Sequence, residues 1–141
     1  RIPDFKYQVR HEAFIGGFAV APSEITRRLG IRPTRTLAEG KPTSRGSPLV
    51  AKHNAWALET RDRAFDTRGM NTLANKDLDA LVARFYKRRA VLLKLLPPGE
   101  LSFVTIISTD SINPCFGPSL ETSRRIVELR ATWAVSIWAA V

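Results

Sequence analysis

Residues 9–30, VRHEAFIGGFAVAPSEITRRLG, contain the pattern from which the fold is predicted. The first half of this stretch is mostly apolar, with β-branched and aromatic side chains, which predicts a strand. Pro22 suits the first turn of a helix, and Ile25 and Leu29 lie four residues apart on one face of that helix. Gly30 predicts a left-handed cap that ends it. The stretch therefore predicts a strand followed by a short, capped helix.

The C-terminal part of the chain repeats this order. Residues 56–60, WALET, predict the strand that completes the first unit, since apolar and polar residues alternate there. Residues 101–109, LSFVTIIST, predict another strand, and Pro118 opens a helix that extends to about residue 130. The final strand, residues 132–141, again has tryptophan near its start, in TWAVSIWAAV. Two similar strand–helix–strand units are therefore predicted.

A long helix over about residues 72–96 is predicted to link the two units. Its apolar residues lie on one stripe, and Pro97-Pro98-Gly99 ends it. We therefore expect a single α+β domain over residues 1–141, with pseudo-repeats at about 8–60 and 101–141. The expected fold is ferredoxin-like, with duplicated strand–helix–strand units on one sheet of four main strands and the long helix between them.

Positive charge is concentrated in two parts of the chain. The formal net charge is +9, from 22 basic and 13 acidic residues, and residues 25–58 and 81–98 contain all of the excess. Such a field attracts polyanions. The alternative is that these faces are basic only for solubility. The candidate anion-binding residues are Arg27, Arg28, Arg32, Arg35, Lys41, Arg45, Lys52, Arg84, Lys87 and Arg88.

Residues 32–54 connect the first helix to the next strand and contain much of this charge. The segment has three prolines, two glycines and no sustained hydrophobic period, so we expect a long loop or an irregular hairpin. It has no phenylalanine, tyrosine or tryptophan, so stacking on nucleic-acid bases would need other residues. Arginine and lysine would instead contact phosphates, which positions a nucleic acid without reading its sequence.

Residues with catalytic or metal-binding chemistry are few and scattered. His11, His53 and Cys115 show no metal-ligand spacing, and the sequence has no phosphate loop or nucleophile elbow. We therefore expect no enzymatic activity and no cofactor. A single cysteine forms no internal disulfide, and no apolar run approaches the roughly 20 residues that span a bilayer. These features favour a cytoplasmic protein without a membrane partner.

The sequence resembles a bacterial family, the DUF4279 domain of unknown function. The resemblance depends on the apolar strand, on the residues that cap and pack the first helix, and on Pro33-Thr34 and Trp56-x-Leu58. It covers most of the chain, and the C-terminal half matches by pattern more than by residues. This resemblance implies no established activity and no catalytic residues. Some families of this kind are suspected immunity proteins that accompany bacterial toxins.

Three functional hypotheses remain open from the sequence. The first is a non-catalytic module that binds a polyanion, most directly nucleic acid, through the basic segment. The alternative is an interaction module of immunity or inhibitor type that binds an acidic protein surface. A small-molecule-binding domain or enzyme ranks last. A homodimer is a further hypothesis, because TWAVSIWAAV has apolar side chains on both faces of the last predicted strand. The alternative is that the long helix covers this strand.

Overall fold

A computed structural model describes residues 4–111, 114 and 116–139, without the side chain at position 71. Cys115 and the last two positions of the predicted final strand lie outside the described residues. The elements, in chain order, are β1 (Tyr7–Gly16), α1 (Pro22–Leu29), β2 (Arg35–Leu37), β3 (Ala55–Glu59), β4 (Arg63–Phe65), α2 (Thr67–Thr72), α3 (Ala74–Tyr86), α4 (Arg89–Leu95), β5 (Glu100–Thr109), α5 (Leu120–Glu128) and β6 (Thr132–Ala139).

The strands form one mixed sheet in the order β2-β3-β1-β5-β6, and β4 pairs with the start of β1. The central strand β1 is antiparallel to both neighbours and pairs with β5 along its full length, from Tyr7 opposite Thr109 to Gly16 opposite Glu100. β5 and β6 are parallel. β2 and β6 are therefore the two ends of this strand order.

The predicted α+β class is confirmed, but the ferredoxin-like duplication is not. In the first predicted unit, β1 and β3 are antiparallel neighbours, whereas β5 and β6 of the second unit are parallel neighbours. The difference arises because the chain forms β2 after α1 and then reverses direction before β3. In the second unit α5 crosses directly from β5 to β6, as a parallel pair requires. The described residues form six strands instead of the expected four.

The predicted long helix is divided into shorter segments. Its apolar stripe is correct, because Leu78, Phe85 and Leu92 are fully buried. However, the helix breaks between α3 and α4, where Arg88 has a non-helical backbone (φ −106°, ψ 18°). The break allows α4 to pack against α1. The helices thereby cover one face of the sheet, which we call the helix face.

The core lies between the helices and the helix face. Phe85 of α3 contacts Trp56 of β3 and Phe103 of β5 edge-on, with ring centroids 5.9 and 5.7 Å apart. Trp56 is fully buried, and its indole N–H donates to the Thr26 hydroxyl at 3.0 Å. Trp133, near the start of β6, is partly buried against the same core. Both tryptophans are therefore packed near the starts of their strands, as the repeated sequence pattern predicts.

The opposite face of the sheet, which we call the open face, has a mixed lining. Because side chains alternate along a strand, residues Arg10, Glu12 and Phe14 of β1 point away from the helix face. Val104 and Ile106 of β5, paired with Glu12 and Arg10, also belong to the open face and are partly exposed. This face therefore combines apolar and charged side chains near the basic segment.

Candidate anion-binding surface

Residues 40–52 form an irregular hairpin that we call the basic hairpin. Its two arms are joined by the Gly40 N–H to the Ala51 carbonyl at 2.9 Å, the Ala51 N–H to the Lys41 carbonyl at 2.8 Å, and the Thr43 N–H to the Leu49 carbonyl at 2.9 Å. Its tip is a turn over residues 44–47, in which Gly46 has a φ of 76°. Of the two conformations expected for this segment, the structure has the hairpin.

Asn54 joins the base of the basic hairpin to the rest of the domain. Its side-chain amide donates to the carbonyls of Phe18 and Val20 at 2.9 and 3.0 Å, and its Oδ1 accepts from the Glu39 N–H at 2.8 Å. Asn54 is buried, so its polar atoms need these partners. This role could not be predicted from the sequence, because an asparagine beside a loop is equally typical of a simple turn.

Three of the predicted cations lie on this hairpin with their side chains in solvent. Lys41, Arg45 and Lys52 are exposed. In the part of the chain that the structure describes, no carboxylate lies within 4.0 Å of any of the three. The basic hairpin therefore presents positive charge that no described acidic residue neutralises.

Arg35, on the adjacent strand β2, has partners within the protein. Its Nη2 lies 2.9 Å from Oε1 of Glu12 and 4.0 Å from Oε1 of Glu59. The Glu12 side chain is only 11% exposed, so its carboxylate needs a nearby cation. Arg35 is therefore a structural partner of the open face, and less of its charge is free for a ligand than the sequence suggests.

The cations of α1, and Arg32 just after it, belong to a separate surface on the helix side. Arg27 forms a bidentate pair with Glu24, which raises the pKa of Arg27 and lowers that of Glu24. Arg28 and Arg32 are exposed, and no described carboxylate pairs with either. The charge at the end of α1 also suits the negative end of the helix dipole, so it has a structural role without any ligand.

Three further predicted cations lie near the break between α3 and α4. Lys87 and Arg88 are exposed at this break, and the Arg88 guanidinium lies beside Gly30, 3.7 Å from where a methyl group on that glycine would stand. Arg84 lines a shallow groove with Asp77, which is paired with Arg63 at 2.8 Å. The structure therefore divides the ten candidates between the basic hairpin with β2 and the helix side.

A groove that the sequence did not predict lies beside the basic hairpin. It has a volume of about 350 Å³, and Phe14, Ala55 and Ala57 contribute apolar lining, with Arg35 and Thr43 also present. Phe14 also borders a second groove of about 530 Å³ at the end of β1. The period-two alternation of β1 and β3 was the available signal, but it does not show which face lacks helices.

The two histidines lie in different environments. His11 is buried, its Nδ1 lies 2.9 Å from the Thr105 hydroxyl, and burial lowers its pKa to about 4. Trp133 donates its indole N–H to the same hydroxyl at 2.9 Å, which leaves the Thr105 proton available for Nδ1. His53 is exposed beside the larger groove. Within the described ranges, no cluster of three His, Cys, Asp or Glu residues could hold a metal ion.

Among the described helices, none has the length and apolar character needed to cross a bilayer. No curated protein and no solved structure matches the sequence. The family model described as Domain of unknown function (DUF4279) matches residues 13–140, which is nearly the whole chain. The protein therefore belongs to the DUF4279 family, as the resemblance of its capping and packing residues predicted.

Proposed function

We propose that this protein is a non-catalytic binding module whose basic hairpin contacts a polyanion, most directly the phosphate backbone of a nucleic acid. The supporting observation is the exposure of Lys41, Arg45 and Lys52 without described carboxylate partners. The Asn54 hydrogen bonds support the same idea, because a hairpin held in place loses less entropy when it binds. We further propose a cytoplasmic location, where a single cysteine remains reduced.

Binding of this kind depends on salt and is independent of base sequence. The hairpin has no aromatic ring to stack on a base, so its cations contact phosphate oxygens. Each contact with duplex DNA contributes about −0.9 to the slope of log K against log salt, so three contacts give a slope near −2.7. The cations on the helix side would make the slope steeper if the same duplex also reached them.

Fluorescence anisotropy with labelled DNA and RNA duplexes, from ~50 to ~200 mM salt, tests the proposal. A variant with Lys41→Ser, Arg45→Ser and Lys52→Ser should bind all sequences more weakly and show a flatter salt slope. Its matched control replaces three exposed lysines outside the hairpin, Lys6, Lys76 and Lys94, with serine, so both variants lose the same charge. Equal weakening in both variants would indicate a general charge effect and contradict a role for the hairpin.

A protein partner of the immunity or inhibitor type is the second candidate, and one observation favours it. Leu49 and Val50 on the same hairpin are 68% and 52% exposed. These apolar side chains make no favourable contact with a phosphate backbone, whereas they are typical of the core of a protein interface. No binding to DNA or RNA at ~50 mM salt would exclude the first candidate and leave an acidic protein surface as the proposed partner.

Leu49→Ser with Val50→Ser separates the two candidates further. Under the nucleic-acid proposal the double variant keeps the affinity and the salt slope of the unmodified protein, because its cations are intact. A loss of duplex binding in this variant would show that the apolar residues belong to the binding surface. The circular dichroism spectrum should remain unchanged, since both side chains are exposed and contribute little to the core.

A further inference from the structure

Exposed apolar residues are concentrated in the last helix and strand. In the part of the chain that the structure describes, eight large apolar side chains are exposed, and five of them belong to α5 and β6. The five are Leu120, Val127, Val135, Ile137 and Trp138. An apolar concentration of this kind on one unit of a domain typically marks an interaction surface.

The strand β6 is an end of the sheet order without the usual protection against pairing. Its sequence, TWAVSIWA, has no charged residue and no proline. Natural edge strands usually contain charges, prolines or bulges that prevent another strand from pairing with their free backbone groups. β6 therefore has both the backbone and the side chains for a further strand pair.

We propose that two copies of this chain associate by antiparallel pairing of β6 with β6, about a two-fold axis through Ser136. A two-fold axis perpendicular to the sheet keeps both helix faces on the same side, so each residue meets a partner residue of the same parity. With Ser136 on the axis, Val135 lies opposite the partner's Ile137, and Ala134 lies opposite the partner's Trp138. This pairing is isologous, the form that closes after two copies.

This register is favoured because it matches small with large side chains. Trp138 is 63% exposed on the open face, and the partner's Ala134 gives its ring room. Trp133 likewise lies opposite the partner's Ala139, and the two β-branched residues Val135 and Ile137 form a favourable cross-strand pair. A register centred on Val135 would instead place Trp133 against the partner's Ile137 and Trp138 against the partner's Thr132.

The distribution of charge also favours a second copy at this strand. The chain has a formal charge of +9, so two copies repel one another at most contacts. The basic hairpin follows β2, at the opposite end of the sheet order from β6, and β6 itself is uncharged. A stable interface buries more than about 1,000 Å². Leu120 and Val127, which lie two helical turns apart on one face of α5, offer apolar surface in addition to the strand pair.

Sedimentation velocity and light scattering of the full chain test the association. We expect a dimer for the unmodified protein and a monomer for Ile137→Lys, because the variant places a charge in the apolar strand pair. The control is Val50→Lys, which makes the same change in charge at a similarly exposed β-branched position on the basic hairpin. A monomeric unmodified protein, or a dimer that Val50→Lys dissociates and Ile137→Lys does not, would overturn the proposal.

Cysteine cross-linking tests the register. In a Cys115→Ser background, Ser136→Cys should form a disulfide-linked dimer under mild oxidation, because directly opposed Cα atoms lie about 4.5–5.5 Å apart. Thr132→Cys is the matched control, since its two copies would be roughly 27 Å apart at about 3.4 Å per residue. A cross-link at Thr132, or its absence at Ser136 in a protein that is dimeric, would contradict this register.

Discussion

The guanidinium of Arg35 on β2 reaches past β3 to the carboxylate of Glu12 on β1, at 2.9 Å. Glu12 is buried on the open face of the sheet, and the Arg35 guanidinium supplies the opposite charge that a buried carboxylate requires. The contact joins an edge strand to the central strand across the strand between them. It thereby fixes β2 and the start of the basic hairpin relative to the core.

Replacing Arg35 should destabilise the fold more than replacing a free arginine does. We expect Arg35→Ala to lower the free energy of unfolding by about 2 kcal/mol, between the effects of an exposed and a buried ion pair. Arg45→Ala, on the hairpin tip, is the control and should change it by less than about 0.5 kcal/mol. Urea unfolding measures both. The double variant Arg35→Met, Glu12→Gln should lose less stability than the sum of the losses in Arg35→Met and Glu12→Gln measured singly. Additive losses would show that the pair is not coupled.

His11 should make stability depend on pH between the pKa values of its folded and unfolded states. Burial lowers the pKa of the folded state from 6.5 to about 4, so the unfolded chain binds more protons in this window. The contribution is fully present above pH 6.5 and is lost as the pH falls towards 4, up to about 3 kcal/mol. Urea unfolding from pH 7.5 to 4 tests this against His11→Gln, which should lack that part of the dependence. His53→Gln, at an exposed position, should retain it.

Trp56 should be among the most sensitive positions in the core. It is fully buried, contacts Phe85 edge-on and donates to Thr26. Trp56→Ala should therefore lower the free energy of unfolding by about 3–5 kcal/mol. Thr26→Val removes the acceptor of the indole N–H, together with a long hydrogen bond from the Thr26 hydroxyl to the Pro22 carbonyl. It should lower the free energy of unfolding by about 1–3 kcal/mol, because the indole N–H is left buried without a partner. Thermal unfolding followed by circular dichroism ranks the two; a larger effect for Thr26→Val would contradict this packing.

Asn54 should control the mobility of the basic hairpin. Asn54→Ala leaves the Phe18 and Val20 carbonyls and the Glu39 N–H without their side-chain partner. We expect a loss of about 1–3 kcal/mol in stability and faster hydrogen exchange at the Gly40 and Ala51 amides, which close the hairpin. Exchange at Ile15 in β1 is the internal reference. Unchanged exchange at Gly40 and Ala51 would show that the arms hold the hairpin without Asn54.

The local features of the fold could be predicted from the sequence because they depend on neighbouring residues. Pro22 opens α1, and Gly30 ends it in the left-handed conformation with φ 65°. The buried stripe of α3 follows from its helical period, as Leu78 and Phe85 show. Strand neighbours are different, because alternation along a strand does not encode which strand lies beside it. The predicted duplication failed at this point, since β1 and β3 are antiparallel and β5 and β6 are parallel.

The charge of the sequence predicted which cations belong to the candidate site, and the contacts in the structure show which of them are already paired. Lys41, Arg45 and Lys52 are exposed as expected, because a hairpin rich in proline and glycine has few apolar residues to bury. Arg35 precedes these three cations in the sequence and contacts Glu12, which is 23 residues away. Asn54 and the groove beside Phe14 depend on similarly distant contacts. Composition can place a charge on a surface, but it cannot identify the partner of that charge.

The strand order sets the spacing of the two hairpins in the proposed dimer. Pairing β6 with β6 gives ten strands in line, with a basic hairpin next to each end strand. Nine spacings of about 4.8 Å place the two β2 strands roughly 43 Å apart before twist is considered. This is the length of about 13 base pairs of duplex, so only a longer duplex can occupy both hairpins at once. Affinity should then rise abruptly with duplex length near this value, as bivalent attachment raises the effective concentration of the second contact.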